Sequence, residues 1–157
     1  MSNILIRSAK LEDLPTLLGF EQGIVTAERP YDHTLKPDPI SYYDIEAMIS
    51  DPNAEVAVAE VDGVLAGSGY AIRKASRHYV SPDHHAYIGF LYVAPEHRGA
   101  GLNKRVLDHL FAWARAKDLP EIHLTVYPDN APAVRAYEKV GFAPYILEMR
   151  LNLDEQD

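Results

Sequence analysis

The chain has 157 residues, 47% apolar and 24% charged, an ordinary globular composition that suggests one domain with its own core. It contains no cysteine, which excludes a disulfide framework, a thiolate metal site and a cysteine nucleophile. Fifteen basic residues against 23 acidic ones give a formal charge of −8. That sign argues against a nucleic-acid backbone as the main ligand and suits either cationic amines or plain solubility. No apolar run approaches the roughly 18 residues of a membrane span. The opening stretch through Arg7 is too short and too weakly basic for a signal peptide, so a cytoplasmic protein is the expectation.

Ile4-Leu5-Ile6 reads as a first strand, and Glu12 to about Gln22 as a helix with Leu14, Leu17, Leu18 and a later Ile24 and Val25 at helical spacing, Asp13 standing near its start. Pro30, Pro37 and Pro39 make the stretch from Glu28 a loop. Ser41 to Ile49 reads as a short helix stopped by Asp51-Pro52. Glu55 to Val61 alternates, with Val56 and Val58 inward, and Asp62-Gly63 signals a two-residue hairpin into Val64 to Arg73. Ser76 to His85 is a polar loop. Ala86 to Val93 is apolar at nearly every position, the pattern of a central strand buried on both faces.

Beyond Pro95 the period turns helical again. Leu102, Val106, Leu110 and Trp113 predict a long helix from Gly101 to Lys117. Ile122, Leu124 and Val126 alternate as a strand. Asn130 to Lys139 reads as a helix with Asn130 as N-cap and Gly141 at C′, and Pro144 to Leu153 as a final strand. The tail Asp154-Glu155-Gln156-Asp157 reads as a frayed acidic end. The order predicts an α/β (α+β) domain with a mixed sheet.

The segment Val93-Ala94-Pro95-Glu96-His97-Arg98-Gly99-Ala100-Gly101-Leu102-Asn103 carries the clearest chemistry. A buried strand runs into a glycine turn and then a helix start. Freed amides, the helix dipole and Arg98 together suit a pyrophosphate. The alternative is a glycine turn that merely joins strand to helix. The P-loop pattern is absent, and Lys104 occupies the third glycine position of the dinucleotide-binding pattern.

Arg98-Gly99-Ala100-Gly101 after Leu91-Tyr92-Val93 resembles the acetyl-CoA motif of the GCN5-related N-acetyltransferase superfamily. Leu124-Thr125-Val126-Tyr127, then Asn130, Ala133, Tyr137-Glu138-Lys139 and Gly141-Phe142, resemble its second motif. Ile6-Arg7-Ser8-Ala9 with Asp13 is also a common opening. The resemblance covers nearly the whole chain and implies one domain with a mostly antiparallel sheet and about four helices. Asn103 departs from the glycine or alanine of many members.

The resemblance further implies a cofactor cradle of Leu91, Tyr92, Val93, Arg98, Gly99, Ala100, Gly101, Leu102, Asn103 and Lys104, with Asn130 on the pantetheine arm. Backbone groups of Leu91 and Val93 would pair with pantetheine where this strand splays from the next. Tyr137 would protonate the leaving thiolate, its other reading being a ring packed on the sheet. Asn130 has its N-cap role beside the ligand role, and Lys104 and Arg105 are either phosphate contacts or a solvated helix face. Some relatives place a glutamate on the central strand as base, but Tyr87 stands near that position and no carboxylate lies between Ala86 and Val93. The base candidates are therefore Glu28, His84 and His85. Each also reads as a solvated loop residue. Glu28 is preferred because its segment Glu28-Arg29-Pro30-Tyr31-Asp32 falls where the family builds its acceptor pocket. The carboxylate could instead bind a cationic substrate there, and Tyr87 and Phe90 are expected to border the same pocket. A primary amine is protonated at neutral pH and needs such a base.

The resulting expectation is direct transfer of acetyl from acetyl-CoA to a small amine or amino-acid-like acceptor, without metal, nucleic acid or membrane. Adjacent histidines such as His84 and His85 point apart and seldom share a metal. A homodimer is a frequent state of the family. The alternatives are a non-catalytic acyl-CoA-binding module and an enzyme that takes another acyl group.

Overall fold

The structure is a computed structural model, and residues 2–155 are described. The chain divides into two compact units, Met1–Thr125 and Val126–Asp157. The first unit carries a five-stranded sheet in the order β1 (Ile4–Ser8), β2 (Ala54–Val61), β3 (Val64–Ala75), β4 (His84–Val93) and β5 (Ile122–His123). All neighbours are antiparallel except β4 and β5, which run parallel. Asp62 and Gly63 both take positive φ and close the β2–β3 hairpin as predicted.

Helices cover both faces of this sheet. α1 (Leu14–Glu28) and α2 (Ile45–Ser50) lie on one. Leu17, Ile24 and Ile45 pack there with Val56, Val58, Tyr70 and Phe90. α3 (Leu102–Ala116) covers the other. Its Leu102, Val106, Leu107 and Leu110 meet the small side chains of Ala57, Ala59, Ala66 and Ala71. Alternation in β2 is therefore one of size, valine toward α1 and alanine toward α3, and both faces are buried. Among the described residues no helix is long and apolar enough to cross a membrane.

Two helices differ from the periodicity. α1 continues past Gln22 because Ile24 and Val25 extend its buried stripe, and it stops just before Pro30. α2 begins only at Ile45, with Asp44 as N-cap accepting from the Ala47 amide. Ser41 to Tyr43 stay outside it because the Tyr42 and Tyr43 amides donate to a side chain of α1, Glu21.

The second unit holds α4 (Ala131–Val140). Asn130 caps it through the Ala133 amide at 3.4 Å. At its end the Gly141 amide donates to the Glu138 carbonyl and the Phe142 amide to the Tyr137 carbonyl, a Schellman arrangement with Gly141 at C′. Among the described residues the expected final strand, Pro144 to Leu153, is not assigned as a strand. A helical turn spans Leu153–Glu155, so of the expected acidic tail Asp154 and Glu155 are turn residues. Gln156 and Asp157 lie outside the described residues.

A polar staple joins α3 to the sheet. His109 Nε2 lies 2.6 Å from Glu55 Oε2, which also accepts the Ser8 hydroxyl at 2.6 Å. Burial pushes the Glu55 carboxyl up, but the His109 and Ser8 hydrogen bonds outweigh it and leave the group below its ordinary value. A carboxyl depressed in the folded state adds stability above its unfolded pKa and loses it as pH falls through the folded one. Glu55→Gln is therefore expected to lower Tm at neutral pH. The deficit should shrink below about pH 4, as measured by calorimetry across pH.

Candidate active site

β4 is the axis of the site. β5 pairs with it only at Ala86 and Tyr87, so β4 has no β5 partner from Ile88 to Val93. On the other side, the β3 ladder shifts register between Ser68 and Tyr70. Gly69 there opposes two residues, Phe90 and Leu91, which makes a β-bulge. Phe90 takes φ 58°, a strained conformation for a bulky residue. Two contacts hold it. Its carbonyl accepts the Ser68 hydroxyl at 3.0 Å, and its ring is 2% exposed among the α1-side core residues.

Past the bulge, the Ala94 amide donates to the Ala66 carbonyl of β3 at 2.8 Å. Strand alternation then turns the amides of Leu91 and Val93 to the side that β5 leaves unpaired. The chain goes on through a helical turn, Pro95–His97, to Arg98. Gly99 and Gly101 take φ of 82° and 78°, which their side chains would resist in any other residue. α3 follows at once. The amides of Leu102, Asn103 and Lys104 fall in its first turn, ahead of the Arg105 amide that donates to the Gly101 carbonyl.

The side chains of this loop have distinct fates. Arg98 folds back, its Nε donating to the Val93 carbonyl at 3.0 Å and its guanidinium 5.9 Å from the Tyr92 ring centre. Leu102 is buried in the core between α3 and the sheet. Lys104 pairs with Asp108 at 2.8 Å on the exposed helix face. Tyr92 stacks on Phe20 of α1 at 4.9 Å.

On the α1 face the bulge meets a cluster of tyrosines and one carboxylate. Tyr70 lies over Gly89, where a Cβ would come within 2.6 Å of its ring. Tyr43 packs edge-on against Tyr70 at 5.2 Å and beside Phe90 at 5.4 Å. Burial pushes the Tyr43 hydroxyl well above the ordinary phenol range, while the Phe90 amide facing it pulls the other way. Burial likewise raises Tyr70 to about 12. Glu28, at the end of α1, is half-buried here. Burial lifts its carboxyl above the usual range, Asp32 lifts it further, and the Tyr42 hydroxyl facing it draws it down. Tyr31 ends the turn after α1 and is exposed. Tyr87 bonds Thr125 Oγ1 at 2.8 Å, and Lys74 Nζ lies 4.7 Å over its ring.

The other base candidates lie elsewhere. His85 is buried at the start of β4, stacked on His123 at 4.0 Å and bonded to Ser76 Oγ at 2.9 Å. His84 contacts Arg73. At roughly 3.3 Å per residue they are about 15 Å or more from the bulge. Tyr137 belongs to the second unit, its ring edge-on to Phe142 at 6.0 Å. Sequence reasoning missed Glu21, Tyr42, Tyr43, Tyr70 and the bulge. One signal was present, since Glu21 and Glu28 both fall on the stripe that carries Leu17 and Ile24.

A carboxyl raised in the folded state costs stability as pH rises through that range, because the folded form favours its proton. Glu28→Gln is accordingly expected to raise Tm at pH 7 and to leave it unchanged near pH 4, read by calorimetry at both.

The acetyltransferase (GNAT) family model matches residues 22–142. A streptothricin acetyltransferase of Streptomyces lavendulae is 35% identical over 94 residues, 60% of this chain and 46% of its own length. The chain thus matches about half of that relative. Among solved structures, a predicted acetyltransferase of Clostridium acetobutylicum with acetyl-CoA aligns at TM-score 0.71, 20% identity and 99% coverage of both chains. An aminoglycoside N-acetyltransferase in complex with CoA aligns at TM-score 0.79 and 18% identity, covering 97% of this chain and 95% of that one. These two likenesses establish the fold. With both sequence motifs inside the matched segment, the chain belongs to the acetyltransferase (GNAT) family.

Proposed function

We propose that the protein transfers an acetyl group from acetyl-CoA to the amine of a small or amino-acid-like acceptor, the whole chain acting as one catalytic domain in the cytoplasm. The observation that carries this reading is the continuity of donors along β4 into α3. The Leu91 and Val93 amides suit the pantetheine arm, and the turn from Arg98 through Lys104 suits the pyrophosphate. The acetyl-CoA and CoA held by the two structural neighbours support the same cosubstrate.

The chemistry follows from the groups around the bulge. Glu28, raised by burial, accepts a proton from the bound ammonium and leaves a nucleophilic amine. The amine nitrogen attacks the thioester carbonyl, the new C–N bond replaces the C–S bond, and a backbone amide near Val93 polarises the carbonyl oxygen. Tyr137 gives its phenolic proton to the departing sulfur, and the second proton that the nitrogen sheds on becoming an amide restores the phenol. That role rests on its match to the second motif, and a phenol of ordinary reference pKa, about 10, carries a proton to give at neutral pH. Tyr31, Tyr87 and the Phe90 bulge border the acceptor. No covalent acyl-enzyme on cysteine is open to a chain without cysteine, and positioning of the two substrates supplies much of the rate.

Calorimetric titration with acetyl-CoA tests the cosubstrate. Micromolar binding is expected, and an Arg98→Ala/Gly101→Asp variant should lose it. Absence of binding to the unmodified protein overturns the reading. Turnover over a panel of amines tests the chemistry. Glu28→Gln and Tyr137→Phe should each lower kcat by about 100-fold or more with acetyl-CoA affinity retained. Binding without turnover of any amine would instead indicate an acyl-CoA-binding module, and turnover only with longer thioesters a different acyl donor.

A further inference from the structure

Glu21 is buried, at 1% exposure, in the middle of α1. Its carboxylate is not idle there. Oε2 accepts the amides of Tyr42 at 2.8 Å and Tyr43 at 2.9 Å, and the Ser41 hydroxyl lies 3.2 Å from both oxygens. Three consecutive residues of an otherwise irregular segment are thus tied to one side chain. A buried carboxylate is costly unless it is matched by donors in this way.

The tied segment carries two groups of the candidate site. The Tyr42 hydroxyl faces Glu28. The Tyr43 ring packs on Phe90 at the bulge. Glu21 and Glu28 are seven residues apart on α1, close to two helical turns, and so share a face. The strap therefore crosses α1 at Glu21 and reaches the site beside Glu28. Its downstream end is fixed independently, by the Asp44 cap and the buried Ile45.

We propose that Glu21 is a positioning residue: its carboxylate holds the Ser41–Tyr43 strap so that Tyr42 and Tyr43 close over Glu28 and the β4 bulge. Glu21 touches neither substrate nor reacting atom. The inference rests on the acetyl-transfer reading for its consequence, but the placement itself is measurable without turnover. The groups facing Glu28 are Asp32 after α1 and Tyr42 and Tyr43 on the strap.

The test is the titration of the Glu28 carboxyl, followed by carbon NMR on labelled full-length protein in a double-mutant cycle. Tyr42→Phe removes the hydroxyl and keeps the ring, so in the unmodified background the Glu28 midpoint should move up. A Glu21→Leu background keeps the volume but removes the acceptor of the Tyr42 and Tyr43 amides, so the strap is no longer clamped and the same Tyr42→Phe change should move the midpoint little or not at all. Equal shifts in both backgrounds, or no shift in the unmodified one, overturn the proposal. Where Glu21→Leu fails to fold, Glu21→Asp serves instead: a carboxylate one methylene shorter cannot hold both amides from the same place on α1, so a diminished Tyr42→Phe shift supports the clamp and an undiminished one overturns it. Turnover separates this from the functional reading. Coupling with full activity in Glu28→Gln would leave Glu21 as the clamp and remove Glu28 as base.

Discussion

The fold turns on a strand that is allowed to stop pairing. β4 is covered by helices on both faces and paired along β3, yet β5 leaves it after Tyr87. Unpaired backbone inside a protein is unfavourable unless something supplies the missing hydrogen bonds. The strand is therefore stable in this form because the interruption is fixed from the other side. The Phe90 bulge is tied by Ser68, filled by its own ring, and overlain by Tyr70 through the space at Gly89. A conformation that costs about 1–3 kcal/mol is thus held by core packing. It leaves amides at Leu91 and Val93 aimed away from β3.

The remaining elements follow from that strand. α3 has to start where β4 ends, and the intervening loop must reverse direction within a few residues. Positive φ at Gly99 and Gly101 achieves this and leaves first-turn amides beside the strand end. Alanines on the α3 face of β2 and β3 let the helix lie close to the sheet. On the opposite face larger side chains build a deeper layer, and within it the tyrosines and Glu28 are enclosed.

Local chemistry made part of this legible in the sequence. The Asp62-Gly63 hairpin, the glycine turn before α3, the Asn130 cap and the Gly141 terminus each depend on a few adjacent residues. Their side chains or φ preferences act on their own backbone. The amphipathic period of α3 was equally plain. What was not legible is what depends on distant partners. Nothing beside Phe90 in sequence announces positive φ, since the bulge arises from register against β3. The residues from Ser41 read as helix because their period fits one, but a carboxylate twenty residues earlier takes their amides. Pro144 to Leu153 alternates as a strand should, yet alternation is a property of the segment alone and a ladder is not, and among the described residues no strand is assigned there. Glu28 was reachable as a candidate, but as a loop residue; its burial comes from α1 running on past Ile24 and Val25 to end at Glu28 itself.

Two glutamates on one face of α1 show how environment divides labour between identical groups. Both lie on the stripe that packs the core, where an unmatched carboxylate would be expelled or neutralised. Glu21 meets two amides and a hydroxyl, all of them donors and all from one segment, so its charge is spent on holding backbone. Glu28 meets a hydroxyl on one side and the like charge of Asp32 on the other, under burial that disfavours ionisation. A group so placed gains by taking a proton, which is the demand a protonated amine makes of its acceptor. The helix thus brings the proposed clamp and the proposed proton acceptor to the bulge from a single face. The strap between them joins the stability of the fold to the chemistry proposed for it.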